Sequence, residues 1–273
     1  MKIIVIFTCF NRKEKTLNCV KRLIEGNKEI DFNFVIVDDG STDGTEEALK
    51  LCEYASVLSI LKTEGNCYYS GGMNRGMQYL LEKKEKADYL LMINDDVEFH
   101  DYSIEQIVQQ SAKKENAVIV GVTCDDQGRQ TYGAIRYKGG FSVKYDAVLR
   151  GEETECDTFN ANCVLIPYHL FEKTGVMDEY FIHSLGDFDY GLSLKKCGAQ
   201  IYSSENFIGV CRRNSIKGTW LDKTLPLKKR IQLKESAKGA PAKQWFYFLK
   251  KNFGLSKAVV FTVTPYINLL IGR

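Results

Sequence analysis

Apolar and polar positions alternate along the first hundred residues in a regular order. Short, wholly apolar runs at 3–7, 34–37, 57–61 and 89–93 are too short for helices and lack the two-residue alternation of a half-exposed strand. They read as buried strands. Between them lie stretches with apolar residues at helical spacing, such as Leu17, Val20, Leu23 and Ile24 within 13–25, and Ala48, Leu49 and Cys52 in a helix that Thr45 caps. A Gly-rich loop from Gly65 to Gly76 then leads into a helix over 77–84. Strand–helix alternation with apolar strands predicts an α/β fold, a mostly parallel sheet with helices on both faces.

From about residue 117 to 210 the pattern is mixed. Strands are expected at 118–122 and 163–167, and a hairpin at 131–137 and 141–145 around Lys138-Gly139-Gly140. A short helix is expected at 170–174 and an amphipathic one at 188–197. From 225 to 251 the pattern predicts two further helices, broken near Gly239-Ala240-Pro241. The chain therefore divides into a body, 1–211, and a mainly helical C-terminal extension, 212–273.

In open parallel sheets ligands bind beyond the carboxyl ends of the strands. Three polar motifs follow strand ends here and should converge on one crevice: Thr8-Cys9-Phe10-Asn11-Arg12, Asp38-Asp39-Gly40-Ser41-Thr42-Asp43, and Asn94-Asp95-Asp96. Adjacent carboxylates after an apolar strand are poorly placed for a core, because an unpaired buried charge is costly. Oxygen ligands of this type suit Mg²⁺ or Mn²⁺ bridging a diphosphate. Asp96 is the expected metal ligand; neighbours on an extended chain point opposite ways, leaving Asp95 to the loop or a sugar. Asp38 and Asp39 read either as turn formers or as acceptors for a base N–H or ribose. Asn74 and Arg75, in the Gly-rich stretch, are candidates for ribose or phosphate. That stretch matches neither dinucleotide nor P-loop spacing. Asp187, in Gly186-Asp187-Phe188-Asp189, reads either as a helix cap or as a general base.

Composition changes the picture little; charge changes it more. The chain is 44% hydrophobic and 26% charged, as in ordinary globular proteins. The net charge of +2 conceals an acidic body and a basic extension that holds 14 Lys/Arg against 2 Asp/Glu. Such a tail fits a peripheral contact with a membrane through Trp245-Phe246-Tyr247-Phe248 and the basic residues near Leu225, Leu227, Ile231 and Leu233. The competing reading packs these side chains on the body or across a homodimer. No nucleic-acid motif accompanies the charge. Nine cysteines, an odd number without a C-x-x-C pair, argue against a disulfide framework or a zinc cluster, and a cytoplasmic location is expected. The apolar run 3–7 is too short for a signal peptide, and 258–272 is too short to span a bilayer.

Taken together and in this order, the motifs resemble glycosyltransferase family 2, whose members have the GT-A fold. The resemblance covers about 3–210. The tail, with Cys211-Arg212-Arg213-Asn214 and Gly218-Thr219-Trp220, resembles a bacterial rhamnosyltransferase-like subgroup. The resemblance implies a metal-dependent, inverting hexosyl transfer from a UDP- or dTDP-sugar to a glycan or lipid-linked acceptor, in polysaccharide synthesis. It implies that Asp39 reads the pyrimidine N–H, that Thr8, Asn11 and Arg12 line the nucleotide pocket, and that Asn74 and Arg75 approach the donor. Asp95 would hold its ribose or sugar, Asp96 the metal, and Asp187 would be the catalytic base. Two departures stand out: Gly186 replaces a frequent Glu, and 209–213 lacks the His that often helps hold the metal. Two other classes compete. A nucleotidyltransferase needs a Gly-rich basic loop after the first strand, which 8–12 lacks; a non-catalytic sugar-binding protein would show no donor turnover.

Overall fold

The computed structural model describes residues 1–271. In chain order the elements are β1 (Lys2–Cys9), α1 (Lys13–Gly26), β2 (Asp31–Asp38), α2 (Thr45–Leu51), β3 (Leu58–Lys62), α3 (Tyr68–Lys83), β4 (Tyr89–Ile93) and β5 (Glu98–Phe99). Then follow α4 (Ser103–Lys113), β6 (Val118–Cys124), β7 (Ala134–Tyr137), β8 (Tyr145–Ala147), β9 (Thr158–Phe159), β10 (Cys163–Pro167), α5 (Tyr168–Thr174), α6 (Gly186–Lys196) and β11 (Ile201–Val210). The extension carries α7 (Leu227–Lys234), α8 (Ala242–Phe253) and α9 (Leu255–Leu270).

Eight strands form one sheet in the order β3-β2-β1-β4-β10-β6-β11-β5. β3, β2, β1 and β4 run parallel, as the strand–helix alternation requires. β10 then inserts antiparallel between β4 and β6, so the far half of the sheet is mixed. The alternation of β1 shows why both faces need cover. Ile3, Val5 and Phe7 pack with Val20 and Leu23 of α1 and Ile104 of α4. Ile4 and Ile6 pack with Met73, Met77 and Leu80 of α3 on the other side. β7, β8 and β9 form a small antiparallel sheet, and Tyr137 faces Tyr145 across the predicted hairpin. Gly139 and Gly140 both take positive φ, and Lys138 N–H donates to the Lys144 carbonyl at 3.0 Å. The turn is therefore wider than expected, and β8 begins only at Tyr145.

Two local expectations are corrected. The Gly-rich stretch is not a loop: helix α3 begins at Tyr68 and contains Gly71, Gly72 and Gly76. An added Cβ would lie 2.5 Å from Thr8 Cγ2 at Gly72 and 2.6 Å from Ile6 Cδ1 at Gly76. These glycines let α3 sit directly on β1, which offsets the ~1 kcal/mol helix cost of each. Nor does Thr45 cap α2 from outside. It is the first helical residue, preceded by Gly44 at φ 81°, and its N–H and hydroxyl both donate to Asp43.

α7 and α8 start after Pro226 and Pro241, as the break near Gly239 requires. A third apolar cluster joins the extension to the body. In it Phe248, Leu249 and Ala258 pack with Phe181, and Phe188 and Leu192 of α6 lie against them. All nine cysteines are free thiols, six of them buried. No helix among the described residues is long and apolar enough to cross a membrane.

Candidate active site

The three strand-end motifs do meet. A cavity of about 570 Å³ lies beyond the carboxyl ends of β1, β2 and β4, within the range typical of small-ligand sites. Thr8, Arg12, Asp39, Asn94, Asp95 and Asp96 line one side, and Asp187, Phe188 and His183 line the other.

Asp39 directly follows β2 and is almost fully buried. Its Oδ1 accepts from the Thr63 hydroxyl at 2.7 Å and from Cys67 N–H at 2.9 Å, and its Oδ2 accepts from Tyr68 N–H at 2.8 Å. One carboxylate thus folds the 63–68 turn onto the cavity. Asn66 and Tyr68 hold positive φ there, a conformation that costs a large side chain free energy unless its surroundings impose it. A carboxylate has about four acceptor positions, so three internal bonds leave Asp39 one for a ligand.

Asp95 and Asp96 separate as their neighbouring positions predict. The Asp95 side chain is buried and bound at 2.9 Å by both Arg12 Nη1 and Thr16 Oγ1. Burial raises its pKa, and Arg12 offsets part of the rise. The Asp96 side chain is 26% exposed and meets Arg12 only at 3.4 Å. Cys211 Sγ lies 3.9 Å from Asp96 Oδ1, where the expected histidine is absent. Burial and Asp96 push this thiol up to about 11, so near neutrality it is a weak donor rather than a thiolate ligand. Among the described residues no three His, Cys, Asp or Glu side chains form a metal-binding group. The residues present fit a hard cation only with Asp96 as the main protein oxygen and the remaining ligands supplied by a bound substrate.

Asp187 is the second residue of α6, and its carboxylate accepts from Phe188 N–H at 2.9 Å and Ala161 N–H at 3.3 Å. It is partly exposed towards the cavity, yet no cation pairs with it among the described residues. Burial pushes its pKa up to about 6, with the two backbone bonds opposing the rise. The missing Glu at position 186 has a steric reason: a Cβ on Gly186 would collide with Ser70, whose hydroxyl bonds the His183 carbonyl at 2.9 Å.

The remaining candidates lie elsewhere. Asn11 is outside the cavity wall and clamps the loops behind it, with its Oδ1 accepting from Thr42 N–H at 2.8 Å. Asn74 lies on the buried side of α3, donating to the Met177 carbonyl at 2.5 Å, and Arg75 on the same helix is exposed. Neither reaches the cavity, because the helix that replaces the expected loop turns them away from it. Conversely, Tyr69, Asn160, Asn162, Asn214 and Lys238 line the cavity without having been expected there. Tyr69 Oη and His183 Nδ1 are buried without a hydrogen-bond partner among the described residues.

These features match known proteins at two levels. No curated protein sequence matches the chain. Among solved structures, the mannosyltransferase PcManGT from Pyrobaculum calidifontis, in complex with GDP-Man and Mn²⁺, aligns with a TM-score of 0.57 and 12% identity over 96% of this chain and 74% of that one. TarS from S. aureus aligns at 0.58 and 14% identity over 97% of this chain, which spans only 45% of that protein. Its 1–349 fragment gives 0.57 and 15% identity, over 99% and 79% of the two chains. These likenesses show the fold, a GT-A arrangement with its cavity at the strand ends. The sequence profile described as glycosyl transferase family 2 matches residues 4–164, more than half of the chain and all of the nucleotide-side motifs. The chain belongs to glycosyl transferase family 2.

Proposed function

We propose that this transferase moves a sugar from a nucleotide-sugar donor to an acceptor hydroxyl with inversion, and that Asp187 is its base. The observation that carries this reading is a carboxylate in the cavity lining that two backbone N–H groups orient and no cation pairs among the described residues, in a setting whose burial pushes its pKa up to about 6. A base is most effective when its pKa lies near the working pH. In the single displacement, the acceptor oxygen bonds to the anomeric carbon as the bond from that carbon to the diphosphate oxygen breaks. The acceptor proton passes to an Asp187 carboxylate oxygen.

Asp39 would orient the base of the donor. Its one remaining acceptor position suits the lone N3–H of uracil or thymine better than the paired donors of guanine, which favours UDP- and dTDP-sugars. PcManGT is described with GDP-Man, so a guanine nucleotide is the natural control. The tail motifs Cys211-Arg212-Arg213-Asn214 and Gly218-Thr219-Trp220, read as rhamnosyltransferase-like, favour a rhamnosyl donor among those to test. Asp96 would be the protein's ligand to Mg²⁺ or Mn²⁺, and the metal would supply charge stabilisation for the departing diphosphate. Asp95 contributes by holding Arg12 against that charge. The acceptor, a glycan or lipid-linked sugar, would enter over Tyr69, which lines the same cavity.

Release of nucleoside diphosphate from UDP-, dTDP- and GDP-sugars, with and without Mn²⁺, tests this assignment. Turnover of a pyrimidine donor that falls on chelation supports it. Turnover of GDP-sugars alone, or equal rates after chelation, would refute the donor or metal assignment.

A further inference from the structure

Helix α9 presents an apolar face that none of the described residues covers. Val259, Val260, Val263, Ile267 and Leu270 are all exposed, between 45% and 68%. At 100° per residue they fall within one arc of about 100°, a stripe along one side of the helix. The opposite side holds Ala258 and Leu269, which are buried against the body. With 16 residues the helix is about 24 Å long, too short and too polar within to span a bilayer.

We propose that this face docks on an anionic lipid surface, with α9 lying in the plane of the interface. Three observations select lipid over other occupants. First, two threonine hydroxyls of the helix and the carbonyl that Pro265 leaves open are satisfied from within, so these groups do not oppose burial of the outer face. Thr262 Oγ1 donates to the Ala258 carbonyl at 2.6 Å and Thr264 Oγ1 to the Phe261 carbonyl at 3.0 Å. Pro265 lacks the N–H that would reach the Phe261 carbonyl, and Trp245 Nε1 fills that place from inside the fold at 2.9 Å.

Second, the charge around the helix is predominantly basic, and the acidic Glu235, which bonds Tyr266 of α9, is paired with Lys234. Residues 236–273 contain six Lys/Arg and no Asp or Glu. Lys243 and Lys250 are exposed on α8, which packs along α9, and Lys228 and Lys229 are exposed on α7, which meets α9 near Tyr266. Apolar insertion beside basic side chains is the pattern of interfacial helices on anionic membranes.

Third, the aromatic run expected to make such a contact faces the other way. Trp245 stacks on Phe248 with ring centroids 5.6 Å apart, and Tyr247 lies 5.7 Å from Phe181. Those rings fasten the extension to the body and leave α9 outermost. The inference does not depend on which sugar is transferred.

The test is co-sedimentation of the full chain with vesicles of phosphatidylglycerol and phosphatidylcholine, and of phosphatidylcholine alone. Binding to the mixed vesicles should weaken with salt and drop at least tenfold in Val263→Asp/Ile267→Asp, with thermal unfolding unchanged. The milder Val263→Ser/Ile267→Ser variant should bind in between, and it serves if the aspartates disturb folding. Absence of binding, equal binding by the variants, or equal binding to both vesicle types would overturn the proposal. So would a concentration-dependent dimer in sedimentation that the same variants dissolve, since a second copy would then be the occupant.

Discussion

Thr8, Arg12, Asp39 and Asp95 reach the cavity from the ends of adjacent parallel strands, each within a few residues of a core position. Asp187 reaches the opposite wall from a helix end that the extension holds from behind. Asp189, two residues on, is 1% exposed and accepts from Lys251 Nζ at 2.7 Å and Asn252 Nδ2 at 2.8 Å, both on α8. Lys251 and Tyr247 also bind Asp178, and Ser184 Oγ donates to the Gly239 carbonyl. The wall that carries Asp39 and Asp95 is thus built directly on the sheet. The wall that carries Asp187 is positioned by the C-terminal helices, through a few charged hydrogen bonds and aromatic contacts. Substitutions should therefore separate the two walls: one set should act on donor affinity, the other on turnover.

The largest effect is expected at the joint between α6 and α8. Asp189→Ala removes the buried carboxylate that Lys251 and Asn252 share, leaving Lys251 with Asp178, and should cost about 1.5–3 kcal/mol in chemical denaturation. It should also lower kcat at least tenfold while leaving the KM for donor within a factor of about two. A fall in stability with unchanged kcat would show that α8 supports α6 without setting the base.

Asp39→Ala should act on the other wall. It frees Thr63, Cys67 and Tyr68 from their shared acceptor, for about 1–3 kcal/mol, and should raise donor KM tenfold or more. An unchanged donor KM would remove Asp39 from the nucleotide pocket.

The smallest effect is a gain. The folded pKa of Asp187, about 6, lies above its ordinary value of 3.8, so keeping it ionised costs stability. That cost is fully present above pH 6 and vanishes as pH falls below the unfolded value. Asp187→Asn should therefore be more stable than the parent by about 1 kcal/mol at pH 8, less than the full shift implies, because water in the cavity screens the charge. The gain should disappear by about pH 4. A gain independent of pH would mean that the charge is not its source.

The contrast between the walls also explains what was legible in the sequence. The turns after β1, β2 and β4 announce themselves, because apolar strands flank them and the carboxylates there have no place in a core. The fold followed from the same alternation, and β1 and β4 lie where their apolar runs place them. The glycines of α3 misled because their reason lies in another element: only with Thr8 and Ile6 beside them does a helix carrying Gly72 and Gly76 make sense. β11 escaped notice because Ser203-Ser204-Glu205-Asn206 interrupts it at a register shift, where Ser204 Oγ and the Gln110 amide take up strand groups. Tyr69, Asn162, Asn214 and Lys238 come from four separate segments, and no spacing along the chain brings them together. The Lys251–Asp189 pair, 62 residues apart, was hidden for the same reason.

The central claim is that Asp187 takes the acceptor proton. It is tested most directly by comparing sugar transfer and donor binding in the parent and in Asp187→Asn, across a pH range. The account predicts a parental kcat/KM that rises with pH through about 6, where the carboxyl ionises, and a loss of transfer of about 10²–10⁴-fold in the variant. Donor binding should be equal in the two proteins. Transfer by Asp187→Asn within tenfold of the parent, or a parental profile without that ionisation, would contradict it.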